Sequence, residues 1–231
     1  MTEVWKTKLG AVRTVIFDLD GTLVDSAPDL HAAAARLLAD MGRKPLSLDT
    51  VAGFVGNGVG TLVRLCLEAT GGVCDFDEAV ELFHEHYAWA PADLTLVYDG
   101  VPELLKHLSG HGFSLGVCTN KPHGFAVTIL TKLGLLPFFA EVTGGDSIGR
   151  LKPDPAMLLH CMAQLGSDRY STLYVGDSEV DNETALRAEV PLALFANGYR
   201  KTPLADFSTV LIFEHHSELM QLSASQRVAT P

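Results

Sequence analysis

The chain has 231 residues, 47% of them hydrophobic, with 28 acidic against 17 basic side chains and a formal net charge of −11. That length suits one domain carrying a large insertion, or two small domains, and is enough for a sizeable core. The acidic balance, with no basic run to follow a phosphate backbone, argues against nucleic-acid and anionic-membrane partners, so an anionic substrate would need a locally basic site.

The amino-terminal MTEVWKTKLG lacks an apolar signal core, and no apolar stretch nears the roughly 20 residues that span a bilayer. Cys66, Cys74, Cys118 and Cys161 show no CxxC spacing and sit in apolar segments, as reduced core residues of a soluble cytoplasmic protein do. Val15, Ile16 and Phe17 form a short apolar run that predicts a strand buried on both faces. It ends in Asp18 and Asp20, whose alternation puts two carboxylates on one side, where their repulsion calls for a cation or a proton. Gly21 then permits a sharp turn that Thr22 can hydrogen-bond.

Helices are predicted next over 29–41, closed by Gly42, and over 47–54, opened by Ser47. The VGNGVG loop follows, then helices over 61–70 and 78–90. No strand pattern interrupts this region, which predicts an all-helical domain inserted after the first strand. From Val97 the texture alternates, with helices over 101–108, 125–133, 155–165 and 183–188. Strands are predicted over 114–118, 141–143, 172–175, 192–195 and 210–213, then a terminal helix and a frayed tail from Ser223. Repeated βα units imply a parallel sheet with right-handed crossovers. The predicted fold class is therefore α/β, a Rossmann-like parallel sheet core of residues 1–22 and 95–231 with a small α-helical domain inserted over 23–94.

Three more strand ends or nearby turns carry polar groups. The strand SLGVC ends in Thr119 and Asn120, TLYV ends in Gly176, Asp177 and Ser178 with Asp181 close behind, and Lys152 stands before Pro153, Asp154 and Pro155. Taken singly, each has an ordinary reading: solvated acids at a strand exit, an N-cap, or an acid favouring a helix dipole. Taken together, a carboxylate pair, a hydroxyl, a lysine and another carboxylate converge on the carboxyl edge of one sheet, where open α/β sheets hold their ligands.

The string DxDGTLxDS at 18–26, followed by Thr119, Lys152 and the Asp177 segment in that order, resembles the four motifs of the haloacid dehalogenase superfamily. The resemblance implies that Asp18 is a nucleophile forming an aspartyl phosphate, with Asp20 as general acid and base. It implies that Thr119, the amide of Asn120 and Lys152 hold the phosphoryl group. Mg2+ would be bound by the carboxylates of Asp18 and Asp177 and the backbone carbonyl of Asp20, with Asp181 orienting Lys152 or a metal-bound water. Within the superfamily, Asp20 separates phosphatases from dehalogenases, and DGTL differs from the DKTGT of P-type ATPases.

The helical insertion, VDSAPDL at 24–30, VGNG at 55–58, TNKP at 119–122 and TGGD at 143–146 look like the phosphoglycolate phosphatase group. This resemblance implies that the inserted domain over 23–94 is a small α-helical cap. The β-phosphoglucomutase group shares the core and the cap type. The implied partner is a small phosphorylated metabolite, 2-phosphoglycolate foremost, with sugar phosphates, nucleotides and pyrophosphate as alternatives, acted on by a monomer or homodimer. Asn57 and Arg64 beside the VGNG loop are the cap candidates for a second anionic group, with His31, Lys121 and Arg200 as further basic candidates. Glu189 stands where a glycine commonly ends the last motif helix.

One competing pattern exists. Gly145, Asp146, Ser147, Ile148 and Gly149 fit GxSxG, with Asp177 and His215 in the chain order of serine hydrolases, but Pro153 and Pro155 block the helix an elbow serine needs. The glycines of GNGVG follow no strand and lack a Walker lysine. His84, His86, His215 and His216 are expected on the surface.

Overall fold

The computed structural model describes residues 11–73 and 75–222. The expectations for the amino-terminal segment, Cys74 and the tail from Ser223 lie outside the described residues. Six strands form one parallel sheet: β1 (Thr14–Phe17), β4 (Ser114–Cys118), β5 (Glu141–Thr143), β6 (Thr172–Gly176), β7 (Leu192–Phe195) and β8 (Leu211–Phe213). Two further short strands, β2 (Val24–Asp25) and β3 (Leu96–Val97), pair antiparallel.

The sheet order is β5-β4-β1-β6-β7-β8. The chain thus builds outward from β1 in one direction and then in the other, so the strand order reverses at β1, the place where such sheets open a crevice. All four residues of β1 are buried, which explains its unbroken apolar run. One face of the sheet packs Val15, Phe17, Leu115 and Val117 against α5 (Val101–Gly110) and α6 (His123–Lys132). The other packs Ile16, Cys118 and Tyr174 against α7 (Ala156–Gln164) and α8 (Glu179–Ala188).

The helices α1 (Ala27–Asp40), α2 (Leu48–Ala52), α3 (Val59–Ala69) and α4 (Phe76–Trp89) gather their own core. In α1 the buried side chains Leu30, Ala33, Ala34, Leu37 and Leu38 follow helical spacing and make one apolar stripe. It faces Val63, Leu67, Phe83 and Tyr87, and Ile129 of α6 joins the same cluster. A fully buried leucine or phenylalanine contributes about 1.5–3 kcal/mol, so this second core has a stabilising source of its own.

The structure corrects several sequence expectations. The region between 23 and 94 holds β2, missed because two residues are too few to show alternation. Helix α1 starts at Ala27, where Pro28 in the first turn suits a helix start, and α8 starts at Glu179 rather than at 183. The predicted terminal helix is a 3-10 segment, His216–Gln221. His216 is fully buried, not on the surface, because its ring packs on Phe195 and Phe213 and its Nε2 meets the Thr22 carbonyl at 2.9 Å. Cys66, Cys118 and Cys161 are free and buried. Among the described residues no helix is long and apolar enough to cross a membrane.

Candidate active site

Register brings the strand ends together. Phe17 sits beside Val117 on one side and Val175 on the other, so the residues following β1, β4 and β6 leave the sheet at one level. Asp18, Thr119 and Asp177 are therefore neighbours at the carboxyl edge, and the Asp18 amide donates to Val175 O at 2.8 Å.

Carboxylate oxygens of Asp18, Asp177 and Asp181 lie within 4.8 Å of one another, all three buried. Lys152, 3% exposed, reaches into the trio from the turn before α7. Its Nζ is 2.7 Å from Asp181 Oδ1 and 2.9 Å from the Tyr174 hydroxyl, which itself donates to Asp181 Oδ1 at 2.7 Å. The same ammonium lies 3.0 Å from Asp18 Oδ1 but off the angle of a hydrogen bond, leaving that buried oxygen without a hydrogen-bonded partner.

Asp181 is spent on structure. Its Oδ2 accepts from the Asp177 and Ser178 amides and from the Ser178 hydroxyl at 2.6 Å, and the Ser178 hydroxyl caps α8 in return. Burial pushes its pKa up, but Lys152 and these hydrogen bonds outweigh that and hold it below the usual carboxylate value. Sequence reading saw Asp181 but missed Tyr174, whose signal was a lone tyrosine in an otherwise aliphatic strand.

Asp177 is placed by two glycines. A Cβ on Gly21 would sit 2.5 Å from Asp177 Oδ2, and one on Gly198 would sit 2.3 Å from Asp177 Cβ, so no other residue fits either position unchanged. Gly21 also holds φ +86°, a conformation other residues rarely adopt. The Thr22 hydroxyl donates to Asp177 Oδ1 at 2.7 Å and the Tyr199 amide to Oδ2 at 2.6 Å. Thr22 thus orients a carboxylate rather than its own turn, and Tyr199 was not anticipated.

Burial pushes Asp18 up to about 7, with Lys152 pulling it down and Asp181 and Asp20 pushing it further up. Burial, then Asp181 and Asp18, push Asp177 well above the usual range. Two buried carboxylates are therefore short of positive charge, and one has an oxygen without a hydrogen bond. An all-oxygen set of this kind suits a hard divalent cation, so the residues fit a metal held by Asp18 and Asp177.

Asp20 lines a cleft between the sheet edge and the helices, which Asp18 also borders. Lys121 Nζ lies 2.9 Å from its Oδ1 and 3.0 Å from its Oδ2, and Ser26 donates to Oδ1. The cleft is lined by Asp18, Asp20, Thr119, Asn120 and Lys121 below and by Leu30, Val55, Gly56, Gly58, Val59 and Leu62 above. The Asn120 side chain ties the two sides: its Nδ2 donates to Gly56 O and Lys152 O, each at 3.0 Å, and its Oδ1 accepts from the Lys152 amide. Thr119 is buried and its hydroxyl oxygen accepts from the Lys121 amide at 3.2 Å.

The cap candidates fare differently. Arg64 is exposed on α3 and ion-paired with Glu68 at 3.5 Å, because position 64 falls opposite the buried Leu62, Val63, Cys66 and Leu67 stripe. Asn57 is exposed and, unlike Gly56 and Gly58, does not line the cleft. His31 bonds to Leu46 O, and Arg200 to Ala196 O and Thr202 O. The structure brings none of these four to the cluster, whereas it brings Lys121. Ser147 caps a turn by accepting from the Gly144 amide, in a surface depression that neither Asp177 nor His215 lines. No helix follows Ser147 directly, and the serine hydrolase pattern has no site.

A family model described as haloacid dehalogenase-like hydrolase matches residues 15–195. The chain is 46% identical over 211 residues to a phosphoglycolate phosphatase of Cereibacter sphaeroides (strain ATCC 17029 / ATH 2.4.9), covering 90% of this chain and 96% of the relative. It is 40% identical over 214 residues to phosphoglycolate phosphatase 1 of Pseudomonas aeruginosa, covering 90% and 78%. Among solved structures, that of a predicted phosphoglycolate phosphatase from Haemophilus somnus 129pt superposes with a TM-score of 0.87 at 29% identity, covering 91% and 97%.

Proposed function

The chain belongs to the haloacid dehalogenase-like hydrolases, and from that premise we propose that it is a magnesium-dependent phosphomonoesterase converting 2-phosphoglycolate to glycolate and phosphate. The observation that carries the reading is the buried trio Asp18, Asp177 and Asp181 around Lys152, with one Asp18 oxygen left without a hydrogen bond. The substrate follows from the names of relatives that this chain resembles over most of its length.

In this reading the Asp18 carboxylate attacks phosphorus as the ester P–O bond breaks, and Asp20 gives a proton to the departing oxygen. Asp20 then takes a proton from the water that attacks the aspartyl phosphate, releasing phosphate and restoring Asp18. Lys152, the Thr119 hydroxyl and the Asn120 amide hold phosphoryl oxygens. Asp18, Asp177 and the Asp20 backbone carbonyl would hold Mg2+, which when bound neutralises charge on the phosphoryl group. Asp181 and Tyr174 keep Lys152 charged and aimed. Residues 23–94 serve as a cap over a core of 1–22 and 95–231, in a cytosolic enzyme.

A panel of phosphomonoesters assayed with Mg2+ tests the substrate. Asp18→Asn should abolish turnover with an unchanged circular dichroism spectrum, and chelation should silence the wild type until Mg2+ is returned. Full activity in Asp18→Asn, or in excess chelator, refutes the assignment.

A further inference from the structure

Lys121 is a buried cation that no step of the proposed reaction uses. It is 4% exposed, its Nζ touches both oxygens of Asp20, and it lies 5.0 Å from the centroid of the Tyr87 ring. Burying an ammonium is costly unless it is paired; Asp20 supplies one partner, and an anion entering the cleft can be a second. Among the described residues it is the only cationic side chain lining the cleft.

Its position fixes what that anion can be. Both Asp20 oxygens lie within 3.0 Å of Nζ, so a ligand oxygen that meets the Asp20 carboxyl is also next to Lys121. Under the proposed reaction, the oxygen meeting Asp20 is the ester oxygen. A carboxylate on the carbon bearing that oxygen lies two bonds away and falls at the ammonium; a carboxylate one carbon further out has to fold back to reach it.

Two further features border Lys121. The buried Tyr87, 1% exposed, places its ring 5.0 Å from the Lys121 ammonium and its hydroxyl within that cation's electrostatic reach. Helix α3, 11 residues long, points its amino terminus at the cleft through Gly58 and Val59, with no side chain capping its first turn. The apolar wall of Leu30, Val55, Val59 and Leu62 offers nothing to the hydroxyls of a sugar.

We infer that Lys121 is the specificity-determining residue and that it binds the carboxylate of phosphate esters of 2-hydroxy acids, moving from Asp20 onto the ligand. The inference rests on the phosphatase reading above and narrows its substrate to a chemical class.

The test compares kcat/KM for three esters: 2-phosphoglycolate, its isosteric amide carbamoylmethyl phosphate, which lacks the carboxylate charge, and 3-phosphooxypropanoate. Wild type should prefer the first over each of the others by about ten- to a hundredfold, the range of one charge-assisted contact. Lys121→Gln should erase the preference over the isostere, chiefly through KM. Lys121→Arg, which keeps the charge on a longer arm, should retain preference over the isostere and narrow that over 3-phosphooxypropanoate. Tyr87→Phe should reduce the preference severalfold. If Lys121→Gln slows the charged and uncharged esters alike and keeps the preference, Lys121 serves only Asp20 and the inference is overturned. An Arg variant with the wild-type pattern across all three esters overturns it also. A wild type that hydrolyses the esters without preferring 2-phosphoglycolate refutes the substrate reading itself, and one that hydrolyses none refutes the phosphatase reading.

Discussion

Asp18 and Asp20 are two residues apart and leave the same strand, yet their surroundings divide the labour. Asp18 is drawn into the buried trio with Asp177 and Asp181, while Asp20 turns into the cleft and shares both oxygens with Lys121. The division predicts how Asp20→Asn fails. Loss of a general acid costs roughly a hundredfold to ten-thousandfold in rate when the leaving group is a poor one such as an alkoxide. Nitrophenolate leaves with little protonation, so 4-nitrophenyl phosphate should suffer much less in steady-state assays of the variant. Equal losses for both esters would mean that Asp20 acts only as an anchor for Lys121. A second outcome belongs at this scale: Arg64→Ala, which removes an exposed side chain paired only with Glu68, should leave kcat/KM for 2-phosphoglycolate within about twofold.

At the scale of elements, α8 shows how one helix holds the site in register. Its amino-terminal capping box is made of Ser178 and Asp181, so the residue that holds Lys152 also starts the helix. Its end is less well suited. Glu189 takes φ 56° and ψ 35° at the carboxyl end, a left-handed conformation that glycine adopts without strain. The Val190 amide still reaches Ala185 O at 2.9 Å, so the turn is formed despite the residue. Glu189→Gly should therefore stabilise the protein by about 0.5–1 kcal/mol, since relief of the left-handed strain exceeds the extra chain entropy of glycine. Its exposed pairing with Arg169 is worth little. Urea unfolding would show this as a higher midpoint with an unchanged slope, and a lower midpoint would mean that the Arg169 contact matters more than the strain.

For the whole molecule, the two segments that join helices to sheet are tied at several points. The Asp29 carboxylate accepts from the Leu94 and Thr95 amides and the Thr95 hydroxyl. Tyr199 donates from its hydroxyl to Asp25 while its amide holds Asp177. Beneath them His216 is buried against Tyr98, Phe195 and Phe213, and burial pushes its pKa down to about 4 from the ordinary 6.5. Between those values the unfolded chain binds a proton that the folded chain refuses. The contribution of His216 is thus complete above pH 6.5, falls as the pH drops, and is lost by about pH 4. Each tenfold loss of proton affinity on folding is worth about 1.4 kcal/mol, so the full effect is about 3 kcal/mol. Asp18, pushed up to about 7 by burial, gives metal-free protein the opposite slope. The histidine is therefore isolated by difference: the stability gap between wild type and His216→Gln should shrink by up to about 3 kcal/mol from pH 7 to pH 4. A gap that stays constant would mean that the ring titrates normally.

Much of this was legible in the chain itself, because the signals are local. A short run of buried apolar residues ending in acids marks β1 and its site, and helical spacing marks α1. The same order of motifs along the chain marks the family. What the sequence could not decide is where side chains from distant segments meet. Which face of α3 turns outward removed Arg64 from the cleft, and the pairing of Lys121 with Asp20 joins residues 101 positions apart. Thr22 and Tyr199 carry no signal of their own, and that of Tyr174, a lone tyrosine in an aliphatic strand, is weak, since a tyrosine in a strand or a threonine in a turn reads as ordinary packing. Their roles arise only when the parallel register sets the ends of β1, β4 and β6 side by side, and burial then makes every unpaired oxygen and every charge costly enough to fix its partner.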